Sequence, residues 1–163
     1  MQNIDNITGD YKTFLDKVFK NLKDHNIDVS KLELDHLCYR VNSFEKYKEI
    51  KNKLASFGTL IAEKIVRGRP IAVFKLNNPL IYKNFSIPYI ELPASKQAKN
   101  YPEGLEHANF VIDTSFEEFM EKYKSINFEM KVVDRKDPEI SLKFKDCAVK
   151  FHLQDIEKIV KSF

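Results

Sequence analysis

Residues 87–112 read IPYIELPASKQAKNYPEGLEHANFVI, and this stretch decides the fold. Two apolar runs that are typical of strands flank a polar connection containing Pro and Gly. The first run ends on Glu91, and the second begins with Leu-Glu followed by His107. A carboxylate that closes one buried strand and an imidazole that opens the next can bind a divalent metal together. The rest of the chain is therefore expected to supply further ligands and a wall around them.

Composition and charge limit the class of protein and of partner. The chain has 163 residues, 43% of them hydrophobic and 31% charged, which suits a single domain (residues 1–163) with its own core. The net charge is only +3, and Lys and Arg are scattered along the chain. Because nucleic-acid grooves carry clustered positive charge, we expect no nucleic-acid partner, whereas a small anionic substrate remains compatible.

Three features of the sequence favour a cytoplasmic protein. No apolar run of about 18 residues is present, so we expect no membrane span. The first residues, MQNIDNITGDYK, lack the basic and apolar regions of a secretory signal. Cys38 and Cys147 lie in apolar, strand-like runs, which favours buried free thiols over a disulfide or a catalytic cysteine.

Hydrophobic periodicity predicts the elements of the first half of the chain. Residues 8–24 place apolar side chains on one helical stripe, which predicts an amphipathic helix that covers something larger. Residues 34–41, LDHLCYRV, alternate with period two, which predicts a strand with the polar His36 on one face. A helix then begins at Ser43 and is ended by Gly58 as its C-terminal cap. Three further strands are predicted, at residues 59–66, 70–76 and 85–92.

The same order of elements returns in the second half. Residues 105–112 form a strand, and Ser115 with Glu118 has capping-box spacing that starts a helix. Strands at 128–133, 140–144 and 148–153 and a terminal helix at 156–163 follow. The prediction is an α+β fold of two βαβββ modules, although no residue-level repeat is visible. Its parts are a helical cover (1–30), a first module (33–93), a linker (94–104) and a second module with the C-terminal helix (105–163).

Five segments together carry a resemblance to a known family. They are DHLCYR at 35–40, GRPIAVFKL at 68–76, IELP at 90–93, YPEGLEH at 101–107, and VKFH followed by DIEKIV at 149–160. In this order they are similar to the YecM family of the vicinal oxygen chelate superfamily, which includes glyoxalase I, methylmalonyl-CoA epimerase, extradiol dioxygenases and bleomycin-resistance proteins. The resemblance implies that each module curls its four strands into a half-barrel and that the two halves enclose a central cleft.

The resemblance also implies a metal site. Ligands in the superfamily come from the first and last strands of each module, which here gives His36, Glu91, His107 and His152. Three imidazoles and one carboxylate suit a divalent Zn, Ni, Co, Mn or Fe ion and leave room for a substrate with two neighbouring oxygens. The implied function is that of a metal-dependent isomerase or lyase acting on a small, oxygenated, anionic metabolite. The ion would act as a Lewis acid that stabilises an enediolate-like intermediate.

Strand alternation adds residues for the chemistry. Arg40 shares the His36 face and can clamp a carboxylate or phosphate, and Lys150 shares the His152 face as a point charge or an acid. Glu91 is the carboxylate left for a general base, although it is also a predicted ligand. Many relatives carry Glu where this chain has His152, which weakens a dioxygenase interpretation. Cys38, on the same face as His36, is a minor alternative ligand, and Arg69 and Lys75 are weaker candidates for the chemistry. Tyr89 and Asn109 are expected to serve packing and hydrogen bonding, and Glu106 is expected on the face opposite to His107.

Two other classes of function remain open on the sequence. A single histidine near a strand end is usually a hydrogen-bonded structural group, and a strand arginine often pairs with a neighbouring carboxylate. The alternative function is therefore a non-catalytic module that binds or sequesters a small molecule on the bleomycin-resistance-like fold. A protein that only binds other proteins is a third possibility. Because one chain contains both modules, a monomer can complete the site, and we expect a monomer or homodimer.

Overall fold

The computed structural model describes residues 3–96, 102–133 and 137–162. Within these residues the strands are β1 (Glu33–Arg40), β2 (Gly58–Val66), β3 (Arg69–Tyr82), β4 (Phe85–Pro93), β5 (Gly104–Val111), β6 (Glu129–Val133), β7 (Asp137–Lys143) and β8 (Ala148–His152). The helices are α1 (Asp5–Thr8), α2 (Tyr11–Asp24), α3 (Phe44–Leu54), α4 (Phe116–Lys122) and α5 (Ile156–Lys161). Every strand and helix predicted from the sequence has a counterpart among these elements.

The strands form one curled, open sheet in the order β2-β3-β4-β1-β5-β8-β7-β6. In the first module β1 pairs in parallel with β4, and in the second module β5 pairs in parallel with β8. The modules meet where β1 and β5 pair in antiparallel fashion at the centre of the sheet. The predicted α+β fold of two βαβββ modules is therefore confirmed, and β1 and β5 are its axis.

Helices α2, α3 and α4 cover one face of the sheet, and the main apolar core lies beneath them. Leu15, Val18 and Leu22 of α2 are buried there, as the amphipathic pattern predicts. Six consecutive residues of β1 are buried, because the strand is central and both of its faces are covered. Alternation then directs His36 and Cys38 to the second face, which forms a cavity.

The N-terminal helix predicted over residues 8–24 is α2, which begins only at Tyr11, and the short α1 precedes it. Gly9 ends α1 with a positive φ of 76°, which a glycine adopts without strain. Asp10 then caps α2, because its carboxylate accepts hydrogen bonds from the backbone amides of Lys12 and Thr13. The capping residue thus sets a helix start that the apolar stripe alone did not reveal.

Two predictions about turns are wrong. Residues 77–79 were expected to be a link, but β3 continues through them to Tyr82, and a register shift between Lys75 and Leu80 absorbs them. Gly58 was expected to cap a helix, but α3 ends at Leu54 and Gly58 begins β2. A side chain at Gly58 would collide with the backbone carbonyl oxygen of Lys75, so glycine serves close strand packing.

The predicted linker at 94–104 joins β4 to β5, and its residues 97–101 lie outside the described part of the chain. Residues 94–96 and 102–103 belong to no helix or strand, and Gly104 already begins β5. None of the described helices combines the length and the apolar character needed to cross a membrane.

Candidate metal centre

Three adjacent strands bring a thiol, a carboxylate and an imidazole together at the centre of the sheet. Cys38 on β1 is paired laterally with Glu91 on β4 and with His107 on β5. One possible ligand atom from each residue lies within 4.8 Å of the other two. We call such a row of laterally paired residues a rung. This rung contains two of the four predicted ligands together with Cys38, which the sequence offered only as an alternative.

His107 has an unusual environment for a buried histidine. The residue is 1% exposed, and neither ring nitrogen makes a hydrogen bond. Glu91 Oε1 lies 4.0 Å from Nε2, and Glu106 Oε1 lies 3.4 Å from Nδ1 without hydrogen-bond geometry. A buried polar group without partners costs roughly 1–3 kcal/mol, so a native protein seldom keeps one without a purpose. A metal ion at this rung would give the imidazole its partner.

The protonation states suit metal binding. Burial, together with the positive charge of Lys150, lowers the pKa of His107 to about 4, so the ring is neutral at pH 7 and has a free lone pair. Burial alone would raise the pKa of Glu91, but the charges of His36, His107 and Lys150 lower it to about 2. Because His107 is uncharged at neutral pH, it is Lys150 that keeps a positive charge beside Glu91. Its own pKa is raised, since the carboxylates of Glu139 and Glu91 outweigh its burial.

Of the three donors, the Cys38 thiol has the protonation state that suits metal binding least. Burial, and next the charge of Glu91, raise the pKa of the thiol, so it is protonated in the metal-free protein. Coordination deprotonates a thiol outright, because the charge of the ion outweighs such effects. Cys38 can therefore act as a ligand only when the ion itself displaces the proton.

The structure spreads the four predicted ligands over three rungs. Glu91 and His107 share the first rung, and His36 lies on the next, paired with Asn109. His152 pairs with Val111, one rung further on, and same-face residues of one strand are about 7 Å apart. In the first module Glu91 of β4 pairs with Cys38, two residues after His36. In the second module His152 of β8 pairs with Val111, four residues after His107. This two-residue offset keeps His152 away from the Cys38 rung.

Both ring nitrogens of His152 already have partners. Nδ1 lies 3.0 Å from Asp137 Oδ1, and Nε2 lies 3.0 Å from Asn109 Oδ1. Burial alone would lower the pKa of His152, but the contact with Asp137 raises it, which fits a charged ring that donates to both oxygens. His36 lies on the rung between His152 and Cys38, and its ring centre is 6.0 Å from that of His152. That all four predicted residues bind a metal stays a prediction.

A cavity of about 210 Å³ joins these residues. The predicted site residues all line it: His36, Arg40, Glu91, His107, Lys150 and His152. One wall is apolar and includes Val73 and three side chains of α5, which are Ile156, Ile159 and Val160. The volume is below the roughly 300–1,000 Å³ of drug-sized ligand sites, which limits the cavity to a small molecule.

The two predicted cationic residues have carboxylate partners. Arg40 forms an ion pair with Glu106. Alternation placed Glu106 on the opposite face, but a register shift between Cys38 and Tyr39 brings its carboxylate to Arg40. Lys150 Nζ lies 3.3 Å from Glu139 Oε2. Both cations still line the cavity, where a substrate anion can share them.

The sequence interpretation missed three acidic residues near the site. Asp137 and Glu139 of β7 line the cavity, and Asp35 lies buried beside His36. The sequence carried a signal for Asp137 and Glu139, because they alternate in period two with apolar residues up to Ile140. The predicted strand began at residue 140, whereas β7 begins at Asp137. Asp35 carried no such signal, since alternation places it on the opposite face from His36. Asn109 has the hydrogen-bonding role expected of it.

The chain is similar to proteins of one family. Residues 3–162 match the family model described as YecM protein. An uncharacterized protein of Haemophilus influenzae is 34% identical over 111 residues, which is 68% of this chain and 58% of that protein. Protein YecM of Escherichia coli is 26% identical over 113 residues, which is 69% of this chain and 60% of that protein. The match thus spans about three fifths of the length of these relatives.

Solved structures show the same fold. A structure described as Structural Genomics, Protein EC4020 matches with a TM-score of 0.82 at 21% identity, covering 99% of this chain and 97% of that one. A variant of Streptomyces coelicolor methylmalonyl-CoA epimerase in complex with 2-nitronate-propionyl-CoA matches with a TM-score of 0.53 at 14% identity, covering 74% and 95%. The chain therefore belongs to the YecM family and has the fold of the vicinal oxygen chelate superfamily.

Proposed function

We propose that the protein is a metal-dependent enzyme of isomerase or lyase type that acts on a small, oxygenated, anionic metabolite. The observation that carries this proposal is the buried His107 ring, which has no hydrogen bond and lies beside Glu91 and Cys38. A neutral imidazole and an ionised carboxylate at this distance fit a divalent ion. An apolar or hydrogen-bonded residue would otherwise be the less costly choice at the centre of a sheet.

The donor set narrows the choice of ion. Sulfur, oxygen and nitrogen from Cys38, Glu91 and His107 suit Zn, Co, Ni or Fe better than Mn, because a thiolate is a soft ligand. His36, on the neighbouring rung, is the proposed fourth ligand, and His152 can join only by giving up its bond to Asn109. When bound, the ion supplies Lewis-acid polarisation of a substrate carbonyl and so favours an enediolate-like state.

Charge on the cavity wall supports an anionic substrate. Basic side chains outnumber the acidic ones, which are Glu91, Asp137 and Glu139. The basic residues come from both modules and include Arg40, Lys64, Arg67, Arg69, Lys131 and Lys150. We propose that Arg40 and Lys150 bind the anionic oxygens of the substrate, since both lie on the strands that hold the ligands. Lys150 is also placed to donate a proton to them.

The cavity contains a second carboxylate, that of Glu139, which can take the role of general base in place of Glu91. A ligating Glu91 cannot also be a free general base. Glu139 Oε2 is buried, makes no hydrogen bond and lies 3.3 Å from Lys150 Nζ. We propose that Glu91 holds the ion and that Glu139 is an alternative base, which leaves each carboxylate one role.

The size of the cavity limits what enters it. The epimerase of similar fold is in complex with a CoA ester analogue. A volume of about 210 Å³ admits the acid portion of such a molecule but not the carrier. Small hydroxy- and keto-acids are therefore the proposed substrate class.

Metal stoichiometry tests the proposal directly. Untagged protein dialysed against Zn, Co, Ni, Fe and Mn in turn is expected to retain one ion per chain for at least one metal. His107→Ala should abolish this binding, because it removes a central ligand. His25→Ala is the matched control, since His25 is exposed and its Nδ1 contacts the backbone oxygen of Asn21. Wild-type protein that retains no metal, or His107→Ala that retains it equally, refutes the proposal.

One observation favours the alternative of a non-catalytic binding module. His36 and His152 already contact the carboxylates of Asp35 and Asp137, as expected if the histidines serve as hydrogen-bond partners for a ligand. Such a module would bind small acids tightly, without turnover and without sensitivity to a chelator. Binding that persists unchanged in EDTA selects this function over the metal-dependent one.

Location and assembly complete the proposal. We propose a cytoplasmic protein, supported by two buried cysteines that are both free thiols, as a reducing compartment keeps them. Glu91 of the first module and His107 of the second line the same cavity. A monomer is therefore sufficient for the site, and a homodimer would hold two such sites.

A further inference from the structure

Asp35 has a position that its place in the sequence does not predict. The lateral pairing of β1 with β5 passes from Leu34 directly to His36, so Asp35 is the extra residue of a β-bulge. A bulge re-aims a side chain and is frequent beside active sites. The Asp35 carboxylate is 2% exposed, which is rare for an acid unless other groups bind it.

One oxygen of this carboxylate has two partners. Asp35 Oδ2 lies 2.6 Å from Nδ1 of His36 and accepts a hydrogen bond of 2.9 Å from the backbone amide of Ile156. A carboxylate only accepts hydrogen bonds, so Nδ1 carries the ring proton and Nε2 keeps the lone pair. A carboxylate in this place also makes the ring a stronger ligand.

The second partner belongs to the helix that covers the cavity. Ile156 is the first residue of α5, and it packs in a small apolar cluster with Val73 and Tyr89. The Tyr89 hydroxyl donates to Glu157, which fixes the next residue of α5. Asp35 thus binds the covering helix and a histidine of the cavity wall through the same atom.

We propose that Asp35 is a positioning residue that fixes the tautomer of His36 and anchors α5 over the cavity. The part concerning His36 as a ligand rests on the proposed function, whereas the tautomer and the anchoring do not. Loss of the carboxylate frees His36 to carry its proton on Nε2, which removes the lone pair from the cavity side. The same loss releases the first amide of α5.

Nitrogen-15 NMR of the imidazole rings tests the tautomer without any metal. In metal-free protein at neutral pH, His36 is expected to have a protonated Nδ1 and an unprotonated Nε2, with its signals assigned by their loss in His36→Gln. Asp35→Leu keeps a similar shape and leaves no side-chain acceptor for the proton on Nδ1, so the Nδ1-protonated form should cease to dominate. Affinity for Zn or Co should fall roughly 10–100-fold in this variant.

Ile156→Pro is the matched control. Proline lacks the amide hydrogen and is tolerated at the first position of a helix, so the variant removes the link from Asp35 to α5, together with part of the apolar contact of Ile156, and keeps the Asp35 carboxylate beside His36. The His36 tautomer should stay as in the wild type, while amide exchange in α5 becomes faster.

A wild-type His36 protonated on Nε2 overturns the proposal, and this result needs no variant to fold. Asp35→Leu with an unchanged tautomer also overturns it. A protein that binds no metal but loses the Nδ1-protonated form in Asp35→Leu retains this inference and loses the proposed function.

Discussion

At the scale of single residues, burial decides what His107 can do. The ring lies at the centre of the sheet, and Lys150 and Glu106 are its charged neighbours along with Glu91. Burial and Lys150 hold its pKa at about 4, so the neutral ring that a metal requires is present at physiological pH without help from another base. The energetic cost of that arrangement appears when the protein is acidified without metal.

Metal-free protein should therefore lose stability between pH 6.5 and 4. The unfolded chain binds a proton at His107 with a pKa of 6.5, the folded protein only near 4, so protonation favours unfolding as the pH falls through this window. The free energy of unfolding should fall by up to about 1.4 kcal/mol per pH unit, and His107→Gln should remove this slope. Urea titrations in EDTA at several pH values measure it.

Other groups do not mimic this effect. Glu91, with a pKa of about 2, costs stability only below its unfolded value of 4.5. His152, whose pKa is raised, has the opposite sign and acts at and above 6.5. His25→Gln is the control and should keep the wild-type slope. Equal slopes for wild type and His107→Gln would contradict the account.

Strand alternation predicted which side chains share a face, and His36, Glu91, His107 and Lys150 line one cavity. Their roles in binding a metal or a substrate stay predictions. Alternation could not place Asp35, whose bulge is a property of the pairing between β1 and β5. Such a bulge depends on a partner strand some 70 residues away in sequence, which local periodicity does not contain.

At the scale of elements, α5 is the weakly held part of the cavity wall. The helix spans only Ile156–Lys161, and few elements pack against it. Its attachments include the apolar side chain of Ile156, the Asp35 contact, and the hydrogen bond from Tyr89 and the ion pair with Lys75 at Glu157. Short elements with few buried contacts open more readily than the sheet does.

Ile156→Ala should therefore loosen α5 before it affects the sheet. The substitution removes buried apolar contacts, which costs roughly 2–5 kcal/mol if they are fully lost. Amide hydrogen exchange should become at least about tenfold faster over α5 and stay unchanged in β1 and β5.

The control is Ile81→Ala, because Ile81 is 54% exposed and lies on β3 away from the cavity wall. It should leave exchange in α5 as in the wild type. Uniformly faster exchange across the sheet in Ile156→Ala would show that α5 is an integral part of the cooperative fold.

Element boundaries were predicted well except where one residue had two possible roles. Asp10 could continue a helix or cap one, and it caps α2. Pro79 could end a strand or lie in a bulge, and β3 accommodates it in the shift between Lys75 and Leu80. Tertiary contacts decide between such roles, and periodicity does not.

At the scale of the whole molecule, the two modules have the same order of strands but different chemistry. The two-residue offset of β8 relative to β4 places Lys150, rather than a ligand, next to Asn109. In the first half Glu91 lines the cavity with Cys38 beside it, and in the second half the ion-paired Lys150 and Glu139 line it. The doubled pattern was readable from sequence, but this offset was not, because register is set by pairing between strands.

Metal binding should stabilise the whole chain, since its ligands come from strands of both modules. Binding to the folded state alone adds about 2.7 kcal/mol at a metal concentration of 100 Kd. For a chain of this size the melting temperature should rise by about 5–10 °C, and EDTA should reverse the rise. Differential scanning calorimetry measures both, and His107→Ala should show neither.

The central claim is that Glu91 and His107 hold one ion at the junction of the modules. Crystals grown with Co, measured on both sides of its absorption edge, test this claim most directly. One anomalous peak is expected in the cavity, about 2.0–2.2 Å from a ring nitrogen of His107 and from a carboxylate oxygen of Glu91. A cavity without a peak at saturating Co, or a peak that His107 and Glu91 do not contact, would contradict it.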